Sequence, residues 1–196
     1  MDEKKWLKAA GICGVISPII ALSCIFLAIA SYPTFSWTGH ALSDLGTVSG
    51  ITRLLFNDGL ILGGAFAVIF ASGFFPFLKQ GKLGAAAAAL FMLDAASLCA
   101  IGIFPGDARP MHYYASVAGF VLLPLSGFLI TAALLLSKRK KPAIFTLASA
   151  AVAAAVWLIH WTIFPFGSGV AIPEIVAALC AGVWAAVIGI MMVRSS

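Results

Sequence analysis

The sequence predicts an all-α, polytopic integral membrane protein with six transmembrane helices in one bundle. The chain of 196 residues is 62% hydrophobic and 10% charged, with a mean hydropathy of +1.09. It therefore has more apolar surface than the core of a soluble domain can bury. Six apolar runs reach the length of about 20 residues that a helix needs to cross a bilayer. They lie at 10–31, 54–78, 83–104, 113–136, 143–164 and 172–193. Because the connectors are short, we expect one transmembrane helical domain over residues 1–196.

The positive charges predict that both chain termini are cytoplasmic. Ten of the 12 Lys and Arg residues fall on one side of the six alternating spans, and Arg53 and Arg109 fall on the other. Cytoplasmic connectors of membrane proteins carry such an excess of cations. The "SKRKK" run at 137–141 belongs to this set, so we interpret it as an anchor to the inner leaflet and expect no nucleic-acid partner.

The first apolar run has an alternative interpretation. Ala28-Ile29-Ala30 fits the small-x-small pattern of a signal-peptide cleavage site. The run from Ala9 to Ala30 is longer than the usual 7–15 apolar residues of a signal peptide, and Asp2 and Glu3 dilute its positive start. We therefore expect a membrane span, with cleavage as the alternative.

Small residues predict close contacts between helices. They form "GLILGG" (59–64) in the second run and "ASAAVAAA" (148–155) in the fifth. Small side chains let the backbones of two membrane helices approach closely. Alanine is also simply well tolerated in helices, so each run has a second explanation.

The connector "WTGHALSDLG" (37–46) holds the first group of candidate site residues. On a helix with 100° per residue, His40, Ser43 and Asp44 share one side, and apolar residues occupy the other. A short interfacial helix would then present an imidazole, a hydroxyl and a carboxylate together. The alternative is an ordinary interfacial loop whose polar residues contact water.

The connector "GIFPGDARPMHYY" (102–114) holds the second group. Pro110 is acceptable at the first position of a helix, which places His112 in the first turn of the fourth span. The helix dipole there disfavours an imidazolium, so the ring is expected to be neutral. Asp107 is a candidate catalytic residue or metal ligand, and an ion pair with Arg109 is its alternative role.

The three histidines predict a zinc site on the extracellular side. His160 lies near the outer end of the fifth span, where a polar side chain is expensive. We expect His40, His112 and His160 to ligate zinc, Asp44 and Asp107 to ligate or orient, and Ser43 to donate a hydrogen bond. Such a metal would lower the pKa of a bound water to about 7. For His160, a hydrogen bond to another helix is the alternative.

Three further carboxylates occur in or beside the spans. Asp58 and Glu174 are predicted to lie in first helical turns, where a carboxylate complements the helix dipole. Asp94 lies ten residues before Phe104 and is therefore roughly 15 Å deep, near the midplane. A carboxylate at that depth is protonated, paired or reached by water, and Ser97 and Asn57 are candidate partners.

Several motifs resemble those of a known family. With six spans, "ALSDLG" (41–46), "GIFPGD" (102–107) and "PE" (173–174), the chain resembles the prokaryotic membrane proteins of domain of unknown function 998. More distantly, it is similar to eukaryotic GPI-remodelling and autophagy-modulator proteins. The Ser, Asp and three His pattern also resembles the alkaline ceramidase and adiponectin receptor superfamily. Those proteins have seven spans and paired histidines in the last helix, which this chain lacks.

These observations leave three functions open. The first is a metal-assisted hydrolase or transferase acting on a lipid or lipid headgroup at the extracellular side of the cell membrane. The second is a proton-coupled transporter that uses Asp94 as its intramembrane titratable group. The third is a non-catalytic protein that binds membrane lipids or a partner. Zinc is the only cofactor expected.

Overall fold

The computed structural model describes residues 2–79 and 81–196, and over these residues the regular structure is helical. Six helices are long and apolar enough to cross a membrane, which confirms the predicted six-span bundle. Two short helices lie between them. The elements are α1 Glu3–Ala30, a 3-10 helix Leu42–Thr47, α2 Ile51–Ser72, α3 Phe74–Leu78, α4 Gly81–Ile103, α5 Met111–Leu136, α6 Lys140–Thr162 and α7 Ala171–Ser195.

The long helices form a ring in chain order. Each packs against the next, from α1 through α2, α4, α5 and α6 to α7, and α7 packs back against α1. The short helix α3 continues α2 beyond Gly73, and together they make one span. Helix α1 begins at Glu3, earlier than the apolar run, because Asp2 caps it and its charged first turns extend the helix past the apolar segment.

Small residues bring neighbouring helices into close contact. Gly59 of α2 faces Cys24 of α1, and Gly63 faces Ala21 one turn further along. No space remains at Gly59 for a side-chain carbon. The "GLILGG" segment of α2 therefore packs directly against α1, in agreement with the contact role that small residues have in membranes.

One end of the ring carries both chain termini, and we call it the cationic end. Lys79, after α3, forms an ion pair with Glu3 at 3.1 Å, which joins the start of α1 to the α3–α4 connector. Arg139, before α6, lies over the ring of Phe77 at 4.0 Å from its centroid. The ten cations of the predicted cytoplasmic side belong to this end. The assignment of this end to the cytoplasm stays a prediction.

The opposite end holds the three other connectors, and we call it the connector end. The backbone N–H of Gly169 donates to the carbonyl of Thr38 at 2.9 Å, which joins the α6–α7 connector to the one after α1. Arg53 pairs with Asp107 at 3.5 Å and joins the α4–α5 connector to the start of α2. Segments distant in the chain therefore hold one another at this end.

An aromatic cluster fills the interior of the cationic half. It consists of Phe70, Phe74, Phe91 and Trp184, whose ring centroids are 5.1 to 6.0 Å apart. The indole N–H of Trp184 donates to Thr146 Oγ1 at 2.9 Å, so the buried polar atom of this cluster is satisfied. The ring is closed here by side chains, and the space that remains lies between this cluster and the connector end.

Candidate functional site

A cavity of about 180 Å³ lies at the centre of the ring. Its lining comes from α1, α2, α4, α5, α7 and the 3-10 helix, and within the described residues α6 contributes none. The aromatic cluster bounds it towards the cationic end, and Leu42 and Ser43 of the 3-10 helix bound it towards the connector end. The lining is mostly apolar. Its polar members are Ser17, Ser43, Asp94, Ser116 and Glu174.

Asp94 lies in the middle of α4 and lines the cavity. Neither partner suggested by the sequence binds it: the Ser97 hydroxyl donates to the Leu93 carbonyl at 2.9 Å, and the Asn57 amide donates to the Gly46 carbonyl at 3.1 Å. Over residues 2–79 and 81–196, no hydrogen bond or ion pair satisfies this carboxyl group. Asp94 therefore lies deep in the bundle and lines a mostly apolar cavity, and its carboxyl group has no bonded partner among the described residues.

Glu174 lies in the first turn of α7, as predicted. Besides complementing the helix dipole, its side chain forms a hydrogen bond to the 3-10 helix. Its side chain is only 8% exposed, and Oε2 accepts the backbone N–H of Leu42 at 2.5 Å. The contact ties α7 to the 3-10 helix across 132 residues of chain. Sequence reasoning missed it, because the "PE" pair at a helix start carries no information about such a distant partner.

The 3-10 helix is a plug over the cavity. Leu42 and Leu45 are 4% and 0% exposed and point into the bundle. Asn57 donates to the Gly46 carbonyl, and Asp44 accepts the Ala41 N–H at 2.9 Å, so both ends of the helix are held. The side chains of Asp44, Asn57 and Glu174 therefore hold the short 3-10 helix in place.

The predicted grouping of His40, Ser43 and Asp44 on one helix side is not observed. Residue 40 precedes the 3-10 helix, which has three residues per turn, so the 100° spacing does not apply. Ser43 lines the cavity, whereas Asp44 is exposed at the surface. Asp44 acts as a cap on the backbone of its own segment.

Two histidines accept hydrogen bonds from connector residues close to them in the chain: His40 lies in the α1–α2 connector, and His160 lies in the last turn of α6. His40 Nδ1 accepts the Ser36 N–H at 2.9 Å, and its ring stacks on Phe35. His160 Nδ1 accepts the Phe166 N–H at 3.3 Å and its ring stacks on that phenylalanine. A neutral imidazole has one lone pair, and these bonds already use it. Each ring therefore holds a connector against the bundle.

His112 has a different arrangement. Its Nδ1–H donates to the Phe104 carbonyl at 2.7 Å, which leaves the lone pair on Nε2. Ser116 Oγ is 3.4 Å from that atom and lines the cavity. Of the three imidazoles, this one presents a basic nitrogen towards the cavity lining.

The described residues bring together no group of three or more His, Cys, Asp or Glu side chains that could hold a metal ion. Asp107, a predicted ligand, pairs with Arg53 and not with Arg109. Zinc binding stays a prediction that none of these contacts supports.

Asp58 also differs from its predicted place. Helix α2 begins at Ile51, so Asp58 lies beyond its first two turns and is exposed. The helix starts before the apolar run because its first turn carries the charged residue Arg53. Asp58 is therefore too far from the start of α2 to interact with the helix dipole, and the predicted role is wrong.

The titratable groups of the mostly apolar lining are acids. Its two titratable members in the described chain are Asp94 and Glu174, and no Lys, Arg or His is among the residues that line it. Glu174 has a backbone N–H as partner, while Asp94 has none. The space can therefore take an apolar group, and the unpartnered carboxyl of Asp94 favours a ligand with a hydrogen-bond donor.

A family model described as "Protein of unknown function (DUF998)" matches residues 15–191. The chain matches no curated protein and no solved structure. The three motifs at 41–46, 102–107 and 173–174 all lie within the matched range, and the first and third meet in the bond between Leu42 and Glu174. The chain belongs to the DUF998 family of membrane proteins of unknown function.

Proposed function

We propose that this membrane protein binds a small, mainly apolar molecule inside its ring of helices. The supporting observation is the central cavity of about 180 Å³ with its apolar lining. Protein cavities of about 150 Å³ with such a lining bind a molecule of the size of benzene. Binding sites of this kind combine apolar walls with a small number of polar groups, as this one does.

The size of the cavity limits the ligand. A ring or a short alkyl segment fits, and a whole phospholipid does not. Burial of each methylene group contributes about 0.8 kcal/mol, so a ligand of this size gains useful affinity from the walls alone. A single alkyl segment of a membrane lipid is one occupant that a binding assay can reveal.

A cavity-filling variant tests this proposal. Ala181 of α7 lines the cavity, so Ala181→Phe is expected to occupy the space. Ala151 of α6 is exposed on the outside of the bundle, so Ala151→Phe is the matched control. In detergent, fluorine NMR of fluorobenzene should show saturable binding to the wild type and to the control but not to Ala181→Phe. Equal signals from all three proteins, or none from the wild type beyond empty micelles, would contradict the proposal.

A second candidate function is hydrolysis of a small acyl ester, and one contact favours it. His112 is oriented by the Phe104 carbonyl and presents Nε2 to Ser116 Oγ, which is the arrangement of a base beside a nucleophile. Ser116 Oγ would attack the ester carbonyl carbon while Nε2 takes the hydroxyl proton. That proton would pass to the leaving alkoxide, and water would then release the acid. This scheme needs no zinc.

Labelling with an alkyl fluorophosphonate tests the second candidate. We expect one label per chain, lost in Ser116→Ala and strongly reduced in His112→Ala. Ser43→Ala is the control, since Ser43 also lines the cavity but has no imidazole beside it. Absence of labelling in the wild type, or equal labelling of Ser116→Ala, would remove this candidate and leave the binding proposal in place.

A further inference from the structure

Asp94 is an ionisable group of the ring interior that makes no hydrogen bond or ion pair with the described residues. Asn57 Oδ1 and Trp157 Nε1 also lack a partner among the described residues, but neither group is ionisable. Two hydroxyl groups inside the spans show the usual arrangement. The Ser17 hydroxyl donates to the Gly63 carbonyl at 2.8 Å, and the Thr131 hydroxyl donates to the Gly127 carbonyl at 2.8 Å. Asp94 makes no such bond in the described chain, yet it lines the cavity.

An acid in this position is expensive unless something pairs with it. Removing a carboxylate from water costs several kcal/mol, and an opposite charge with good geometry offsets that cost. No cationic side chain lines the described cavity, and the other lining acid, Glu174, already accepts the Leu42 N–H. A partner for the Asp94 carboxylate would be a positively charged group with an N–H donor, and the lining has no such group.

The rings around the cavity favour the same kind of ligand. Phe91 lies three residues before Asp94 on α4, so both are on one side of that helix. Phe91, Phe120 and Trp184 all line the cavity. An aromatic face attracts a cation, and it does so more strongly when the pair is desolvated.

We propose that the ligand is a small organic monocation, a protonated primary or secondary amine on an aromatic or short alkyl body, with Asp94 as its counter-ion. This inference rests on the proposed binding function. A calcium or magnesium ion is a poor fit, because it takes six or more oxygen ligands. An amine phospholipid is also a poor fit, because its phosphate would enter a lining whose two charged groups are acids.

A pair of probes of nearly equal shape tests the charge requirement. The probes are para-fluorobenzylamine and para-fluoroethylbenzene, followed by fluorine NMR with the full chain in detergent. We expect the wild type to bind the amine at least about tenfold more tightly, as charge-assisted hydrogen bonds are worth about 1.5–3 kcal/mol. Asp94→Asn should lose this preference and still bind the neutral probe. Asp58→Asn, which removes an exposed carboxylate of α2, should behave as the wild type.

The outcomes separate the inference from the function on which it rests. If the neutral probe binds to Asp94→Asn, that variant is folded and its cavity is intact. If the wild type binds both probes equally, or Asp94→Asn keeps the amine preference, the charge assignment is overturned and the apolar binding site survives. If neither probe binds to the wild type, the binding function itself is overturned.

Discussion

Substitution of Glu174 should open the connector end locally. Its Oε2 accepts the Leu42 N–H, and the two residues are only 8% and 4% exposed, so water does not replace the lost acceptor in Glu174→Ala. A buried donor without a partner costs about 1–3 kcal/mol. We therefore expect the free energy of opening of the 3-10 helix to fall by about 2 kcal/mol.

Hydrogen exchange followed by mass spectrometry measures this change directly. A loss of about 2 kcal/mol corresponds to roughly thirtyfold faster exchange, confined to peptides that cover Leu42–Thr47. Glu174→Gln keeps an acceptor oxygen and should lie between the wild type and Glu174→Ala. Asp44→Ala removes an exposed cap on the same segment and should cost about 1 kcal/mol or less. Unchanged exchange in Glu174→Ala, or an equal increase over all helices, would refute the plug role.

Three other substitutions test the fold. Trp184→Phe removes the indole N–H from Thr146 Oγ1 and should lower the free energy of unfolding by about 1 kcal/mol; an unchanged melting temperature would contradict this. Gly59→Ala forces the α1–α2 contact apart at Cys24 and should cost about 1–3 kcal/mol, so wild-type stability would mean that the two helices separate freely. Asp107→Asn removes a surface ion pair and should cost less than about 1 kcal/mol at moderate salt, and a larger loss would show a further role.

The six spans could be predicted because hydropathy over about 20 residues depends only on local sequence. The ring could not, since the contact between α1 and α7 involves the two helices furthest apart in the chain. The depth of Asp94 follows from counting residues along one helix. The lack of a hydrogen-bond partner for Asp94 could not be predicted in this way, because it depends on which side chains of other helices line the cavity.

The predicted meeting of three histidines illustrates a second limit. Each ring bonds to a backbone group only four to eight residues away: Ser36 for His40, Phe104 for His112 and Phe166 for His160. Connectors carry backbone N–H and C=O groups that no helix satisfies, and a nearby imidazole can form a hydrogen bond with such a group. Residue types that suggest a metal site are thus also those that a connector uses to hold its own shape.

The ring order of the helices has a consequence for biogenesis. Almost every contact between long helices joins consecutive segments, so each new segment can dock on the one synthesised before it. Helix α7 must reach α1 before the interior is enclosed. The central cavity therefore does not exist in the shorter nascent chain, because α7 supplies part of its lining.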